Sequence, residues 1–550
     1  MSQGTLTSVR AGLGELTARE LDLLVIGGGI TGAGILRDAA MRGLRAALVD
    51  AADFGAGTSS RSSRLIHGGL RYLEHGQLGL VFEALRERAV LLRIAPHLVR
   101  PLPFVMPSYR GDRVPRWQLA AGLGLYTVLA MGGNVARPRM FGKTALLARE
   151  PNLRVRDLVG GGLFYDAQCD DARLVLATIR SAVGHGALAA NHVRVTSLVK
   201  EDGIVVGADL ADLITGDRAT VRARAVVNAT GPWTDAIRRV EDPAAIPLLR
   251  TTAGAHVVVR RERLGHTHAI IFTSRVDGRV MFVLPWGDYS YVGTTDTDYD
   301  GPPERVSASR AEVLYLLRSV NALFPHAHLE PEDVLATWAG VRALLAGKPG
   351  QAASAVSREH RVVTGPGGMI TVAGGKLTTY RRMAAEAVDA VVKRLGGGQD
   401  RPPTDREPLP GGETSAWGSF IQAALDLGLP GQTAEYLVRR YGTETAAILN
   451  LMRDDRSLLA PVHPGHPSIG AEVLHHVRRE FAVRVEDVLV RRLHLDTETD
   501  DRGRGGIRRL ADLMGRELGW DGARVRTEAG RVSFQSSVAS RQSSDEQSAG

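Results

Sequence analysis

The chain has 550 residues, 44% of them hydrophobic and 23% charged, with 63 glycines and a formal net charge of +8. That is enough chain for two or three domains with cores of their own, in the composition range of soluble globular proteins. The single cysteine, Cys169, excludes an internal disulfide framework and a thiolate zinc site and fits a reducing compartment.

Met1 to Glu20 reads as a short polar extension without the basic and apolar blocks of a secretory signal. Leu21 to Ile26 is an apolar strand, followed at once by glycines. Ile30 to Arg42 reads as a helix and Arg45 to Val49 as a second strand ending at Asp50. Further along, Ala225 to Ala229 and His256 to Val259 read as strands. Val280–Leu284 and Ser290–Gly293 flank Trp286-Gly287-Asp288-Tyr289, a hairpin signal that predicts an antiparallel sheet in the middle of the chain.

A breaker-rich stretch at 396–412 separates residues 21–395 from a helical pattern over 413–525, and 526–550 is polar enough to be expected disordered. No apolar run reaches the ~18 residues that read as a membrane span. Residues 115–131 form an apolar stretch with Trp117 and Tyr126, flanked by Arg110, Arg113, Arg116, Arg137 and Arg139, which predicts an in-plane helix at a lipid surface. The positive balance suits an anionic membrane surface or an anionic substrate. No basic run with interleaved aromatics points to nucleic acid.

Gly27-Gly28-Gly29-Ile30-Thr31-Gly32 fits G-x-G-x-x-G between a strand and a helix, with Asp50 closing the next strand. In such a turn Gly27 permits the tight bend, Gly29 lets a pyrophosphate approach the backbone, and Gly32 lets helix and sheet pack closely. Asp50 accepts from ribose hydroxyls. Two later strand–turn segments, Asn228 to Trp233 and Val372 to Tyr380, favour FAD over NAD. The second offers helix N-terminal amides to the electron-rich edge of a flavin ring.

Thr58-Ser59-Ser60-Arg61-Ser62-Ser63-Arg64-Leu65-Ile66-His67-Gly68-Gly69-Leu70-Arg71-Tyr72-Leu73 resembles the flavin-proximal segment of the FAD-dependent, quinone-linked glycerol-3-phosphate dehydrogenases. Asp170 to Leu174, Asn228 to Trp233, Gly293 to Asp296, Gly340 to Arg342 and Gly374 to Tyr380 resemble that family's blocks in the same order. The resemblance implies an α/β architecture: a discontinuous glutathione-reductase-type FAD-binding domain carrying an antiparallel-sheet substrate domain, then a helical C-terminal domain. It implies oxidation of sn-glycerol 3-phosphate to dihydroxyacetone phosphate, reduction of FAD, and electron delivery to a membrane quinone. A homodimer, peripheral on the cytoplasmic face of the membrane, goes with it. Alternatives are an oxidase using oxygen, a flavin amine oxidase, or a non-catalytic flavin redox sensor.

By the same resemblance Thr58, Ser59, Ser60, Thr230, Gly231, Gly374, Gly375, Lys376, Leu377 and Thr378 join the cofactor site. Arg71, Tyr72, Arg342, Arg358 and Lys376 gather at the substrate phosphate, where arginine forks bind oxygens in pairs. His67 is the first candidate for the base that takes the hydroxyl proton and His256 the second, with Arg342 stabilising the alkoxide. Ala343 stands where the family often has proline. His463, His466, His475 and His476 lack the spacing of a metal site, and none is expected.

Overall fold

The computed structural model describes residues 9–346, 359–398 and 400–532. Its first sheet carries the parallel core Leu188–Ala190, Ala46–Val49, Leu21–Ile26, Arg218–Asn228 and Ile370–Gly374, side by side in that order, with His360–Thr364 antiparallel at the edge. Every residue of Leu21–Ile26 is buried, because both faces of the sheet are covered. Leu23 and Val25 face a layer built from helices Ile30–Met41, Asp171–Gly184 and Tyr380–Leu395. Leu21, Leu24 and Ile26 face the antiparallel meander of Val193–Glu201, Ile204–Asp212 and the first half of Arg218–Asn228.

The second sheet has 10 strands and is mostly antiparallel. Val280–Trp286 and Tyr289–Gly293 pair in register, with Trp286 opposite Tyr289, so the hairpin expected from the sequence is present. Helix Arg310–Leu323 covers one face of this sheet. The other face meets helices Leu78–Ile94 and Arg116–Leu129 and carries Tyr291 and Trp338. Beyond Gly412 the chain is helical from Gly418 to Arg531, around a core of its own.

From residue 9 the polar N-terminal stretch is anchored on the domain, with Leu16 fully buried and Arg10 bonding Asp212 at 2.7 Å. One expectation at the chain ends is corrected. The polar region from 526 begins inside helix Gly522–Arg531, capped by Asp521. Its Glu528 is buried among Arg484, Arg524 and Arg531, so charge pairing orders a segment that hydrophobicity would not. Residues 533–550 lie outside the described residues. The stretch 396–412 is also packed: Leu409 is buried and its N–H donates to Ile94 O at 2.8 Å.

Candidate active site

The dinucleotide turn follows from three glycines with different duties. Gly27 has φ +107°, and a Cβ there would fall 2.7 Å from the Ala229 carbonyl oxygen. A Cβ on Gly32 would fall 1.9 Å from the Gly27 oxygen, so this glycine lets helix Ile30–Met41 sit on the turn. Gly29, the cap of that helix, is different: within 4 Å its Cβ would meet only Ser59 Oγ, at 3.2 Å. The fold itself leaves that position open, as a pyrophosphate cradle at a helix N-terminus requires. Asp50 accepts from the N–H of Gly28 at 2.6 Å and of Ala52 at 2.8 Å. Burial pushes its carboxyl up to about 6 against those two donors.

The separated sequence blocks converge on this turn. Ser59 Oγ accepts from the Ile30 N–H at 3.0 Å, and Thr58 Oγ1 donates to the Val341 carbonyl at 2.6 Å. Ser62 Oγ donates to Asp171 at 2.6 Å. Ala229 N–H donates to Ile26 O at 2.9 Å, and Thr230 Oγ1 to Asn228 Oδ1 at 2.7 Å, which sets the Thr230-Gly231 turn beside the glycines. The Gly374-Gly375-Lys376 turn has φ of +77° and +93° at its glycines and leads through Leu377–Thr379 into helix Tyr380–Leu395. Thr378 Oγ1 accepts from the His67 N–H at 3.2 Å, and Lys376 Nζ lies 3.8 Å above the Tyr72 ring. Ser60 lies in the same 3-10 turn, Thr58–Ser60, as Ser59, and the open position at Gly29, at the N-terminus of its helix, fits the pyrophosphate of FAD.

On strand Ala336–Leu345, Arg342 donates to Asp296 Oδ1 and Thr294 Oγ1, both at 2.9 Å, and to the Thr295 carbonyl at 3.1 Å. Gly254 makes room for it, since a Cβ there would sit 2.0 Å from the guanidinium. His256 stacks on Trp338 with ring centroids 4.7 Å apart, and its Nε2 bonds Ser63 Oγ at 2.9 Å. Burial first, then the charges of Arg342 and Arg64, push its imidazolium down to about 3. His256 is therefore neutral at working pH but a weak proton acceptor. Arg71 lies in the turn Leu70–His75, with its side chain outside the description, and Arg358 lies outside the described residues.

Sequence reasoning gave no role to Arg64, which the structure places at the centre of this wall. Its guanidinium lies over Trp286, Tyr291 and Trp338 at 4.5, 5.0 and 5.6 Å and donates to Tyr291 Oη at 2.7 Å. Aromatics on adjacent strands were the available signal, but only strand register reveals that they face one way. Tyr126, expected from the sequence at a lipid surface, is instead 2% exposed and turned inward onto Asp166, to which sequence reasoning gave no role. Tyr126 Oη donates to Asp166 at 2.8 Å and accepts from the Gly68 N–H at 2.9 Å, next to His67.

Cys169 is buried, and burial pushes its thiol well up, away from nucleophile duty. Among the described residues, Asp53, His192 and Asp487 come close enough to hold a metal. However, Arg491 and Arg492 already bond Asp53, and Arg491 bonds Asp487, so the cluster is an ion-pair network.

A glycine turn and an acid-ended second strand on a parallel sheet, beside a second, mostly antiparallel sheet, are those of a dinucleotide-binding oxidoreductase. The family described as FAD dependent oxidoreductase matches residues 22–381, and the C-terminal domain of alpha-glycerophosphate oxidase matches 402–525. The chain is 38% identical to glycerol-3-phosphate dehydrogenase 2 of Mycobacterium bovis, over 94% of this chain and 88% of the relative. It is 37% identical to the mitochondrial glycerol-3-phosphate dehydrogenase of Homo sapiens, over 91% of this chain and 71% of that one. The solved glycerol-3-phosphate dehydrogenase from Bacillus halodurans, complexed with FAD, superposes with a TM-score of 0.78 at 30% identity, covering 94% of each chain. The protein belongs to the FAD-dependent glycerol-3-phosphate dehydrogenase family.

Proposed function

We propose that the protein oxidises sn-glycerol 3-phosphate to dihydroxyacetone phosphate and passes the electrons to a membrane quinone. The observation that carries this reading is the convergence of separate sequence blocks: His67 on Thr378, Tyr72 under Lys376, and Thr58 bonded to the strand of Arg342. Bound FAD supplies the two-electron acceptor for the hydride leaving C2. Arg342, oriented by Asp296 and Thr294, binds the substrate phosphate together with Arg71, Arg358, Lys376 and Tyr72, and its charge favours the developing alkoxide. His67 takes the hydroxyl proton. His256, with its depressed pKa and its ring stacked on Trp338, positions Ser63 instead. Anaerobic bleaching of bound flavin by glycerol 3-phosphate, reversed by a quinone analogue, tests the reading. Rapid peroxide release in air without quinone turnover would favour an oxidase.

The same reading seats the protein, as a homodimer, on the cytoplasmic membrane face through helix Arg116–Leu129. No helix among the described residues is long and apolar enough to cross a membrane. Leu119, Leu123 and Tyr126 point into the core, while Trp117, Leu125, Val128 and then Met131 are exposed. From Trp117 to Ala136 no residue carries a formal charge, and arginines stand at both flanks.

A further inference from the structure

The loop after the second strand is held from two sides, and only one side belongs to the FAD-binding domain. On that side Asp50 accepts from the Gly28 N–H at 2.6 Å, and the Gly55 N–H donates to the Gly28 carbonyl at 2.9 Å. Phe54 lies against Gly28 so closely that a Cβ there would fall 2.4 Å from its ring. Gly28 is thus bonded to both ends of the 50–55 loop and covered by its middle.

The other side is the helical C-terminal domain. Asp53 is almost fully buried and accepts from Arg491 Nε, from both terminal nitrogens of Arg492, and from Asn191 Nδ2 at 2.9 Å. Arg492 is itself fixed, donating to the Glu480 carbonyl at 2.6 Å and the Asp487 carbonyl at 3.1 Å. Arg491 donates to Asp487 Oδ1 at 3.0 Å, and His192 Nε2 lies 3.2 Å from the same carboxylate. Next to this network Phe54 meets Phe481 edge-to-face at 5.1 Å, and Asn191 Nδ2 also donates to the Phe481 carbonyl at 2.9 Å.

Two buried carboxylates against two buried guanidiniums tolerate no sliding, because any shift leaves a charge unpaired in a dry interface. An ordinary packing contact would leave the loop free to adjust; this one fixes its register. We infer that the C-terminal helical domain clamps the adenosine end of the FAD site, with Asp53, Arg491 and Arg492 as positioning residues that hold Asp50 and Gly28 in their flavin-binding arrangement. The inference rests on the reading that Asp50 binds the adenosine ribose. A loop fixed in advance spares the flavin the entropy of ordering it. Linkage makes the coupling reciprocal, so bound FAD also tightens the docking of the Asp487–Arg492 segment.

Flavin release from the holoenzyme, followed as the rise in free FAD fluorescence, reads the clamp directly. Asp53→Asn is expected to release FAD at least tenfold faster than wild type. Glu444→Gln breaks the Arg180–Glu444 pair elsewhere on the same domain interface. It is expected to lower the melting temperature while leaving FAD release within twofold. Asp50→Asn is the arm that checks the underlying reading, and it too is expected to accelerate release. If Asp50→Asn accelerates release and Asp53→Asn does not, the clamp is overturned. If Asp50→Asn has no effect, the ribose reading itself fails. Equal acceleration by Glu444→Gln overturns the clamp in favour of general domain docking. Should Asp53→Asn fail to fold, hydrogen exchange on the wild type decides. Adding FAD to flavin-stripped protein is expected to slow exchange in Asp487–Arg492 by tenfold or more, with helix Arg504–Leu518 unchanged. Equal exchange of Asp487–Arg492 with and without FAD overturns the proposal.

Discussion

Replacing Trp117 and Val128 together by aspartate removes the two most exposed large apolar side chains of helix Arg116–Leu129, one near each end, without touching its buried side. Trp117 is 73% exposed and Val128 71% exposed. A tryptophan offers ~200 Å², so inserting the exposed part of Trp117 at about 25 cal/mol per Å² contributes roughly 3.5 kcal/mol. The exposed part of Val128 adds about 1 kcal/mol on the same scale. Insertion to half depth leaves about 2 kcal/mol, roughly a 30-fold change in partition, before the cost of bringing two carboxylates toward anionic headgroups. Sedimentation with vesicles containing anionic lipid should therefore show binding weakened by about that factor or more, with flavin content and melting temperature preserved. Arg113→Glu with Arg116→Glu should weaken binding more at low salt than at high, since charges near the surface contribute about 1 kcal/mol each. Leu123 is unsuited to the test: it is 2% exposed, and its side chain lies over Gly162. Vesicle binding of Trp117→Asp/Val128→Asp equal to wild type would refute this helix as the anchor.

Gly29→Val should fold and lose FAD, because only Ser59 lies near the new side chain, whereas Gly32→Val should fail to fold against the Gly27 carbonyl; absorbance at the flavin bands and circular dichroism separate the two. Arg342→Lys keeps the charge but loses the fork to Asp296 and Thr294, so KM for glycerol 3-phosphate should rise at least tenfold, with a much smaller loss on glycerol in steady-state assays. Tyr126→Phe removes the hydroxyl shared by Asp166 and the Gly68 N–H; chemical denaturation should show a loss of about 1–3 kcal/mol, with a lowered kcat. Because the Asp50 carboxyl is pushed up to about 6, it is protonated below that pH and becomes a full acceptor above it; FAD affinity by fluorescence titration should fall on acidification below about 6 and level off above. With its imidazolium held near 3, His256 should contribute no limb to the pH dependence of kcat/KM between 5 and 8, so Ser63→Ala should leave any such limb in place.

The sequence by itself determined the elements that rest on local chemistry. Glycines at 27, 29 and 32 between an apolar strand and a helix, Asp50 ending the next strand, and the 286–289 turn each need only neighbouring residues to be read. The order of the blocks from Thr58 to Tyr380 carried the family. Only the tertiary structure decided which side chains share a space, because that depends on strand register and domain docking, which have no local signature. Sequence ranks His67 above His256 as the base by motif alone. Register put His256 on Trp338 beneath two arginine charges, which depresses its pKa, and put the backbone of His67 against Thr378. Arg64 found its aromatic wall from three separate strands. Asp53 carries no signal in the sequence; the C-terminal domain, more than 400 residues later, supplies the two guanidiniums that pair with it in its burial. The polar segment at 526–531, expected disordered, is a helix for a related reason: its order comes from the Asp521 cap and from the ion pairs of buried Glu528, one of them with the distant Arg484, which hydropathy along the chain does not register.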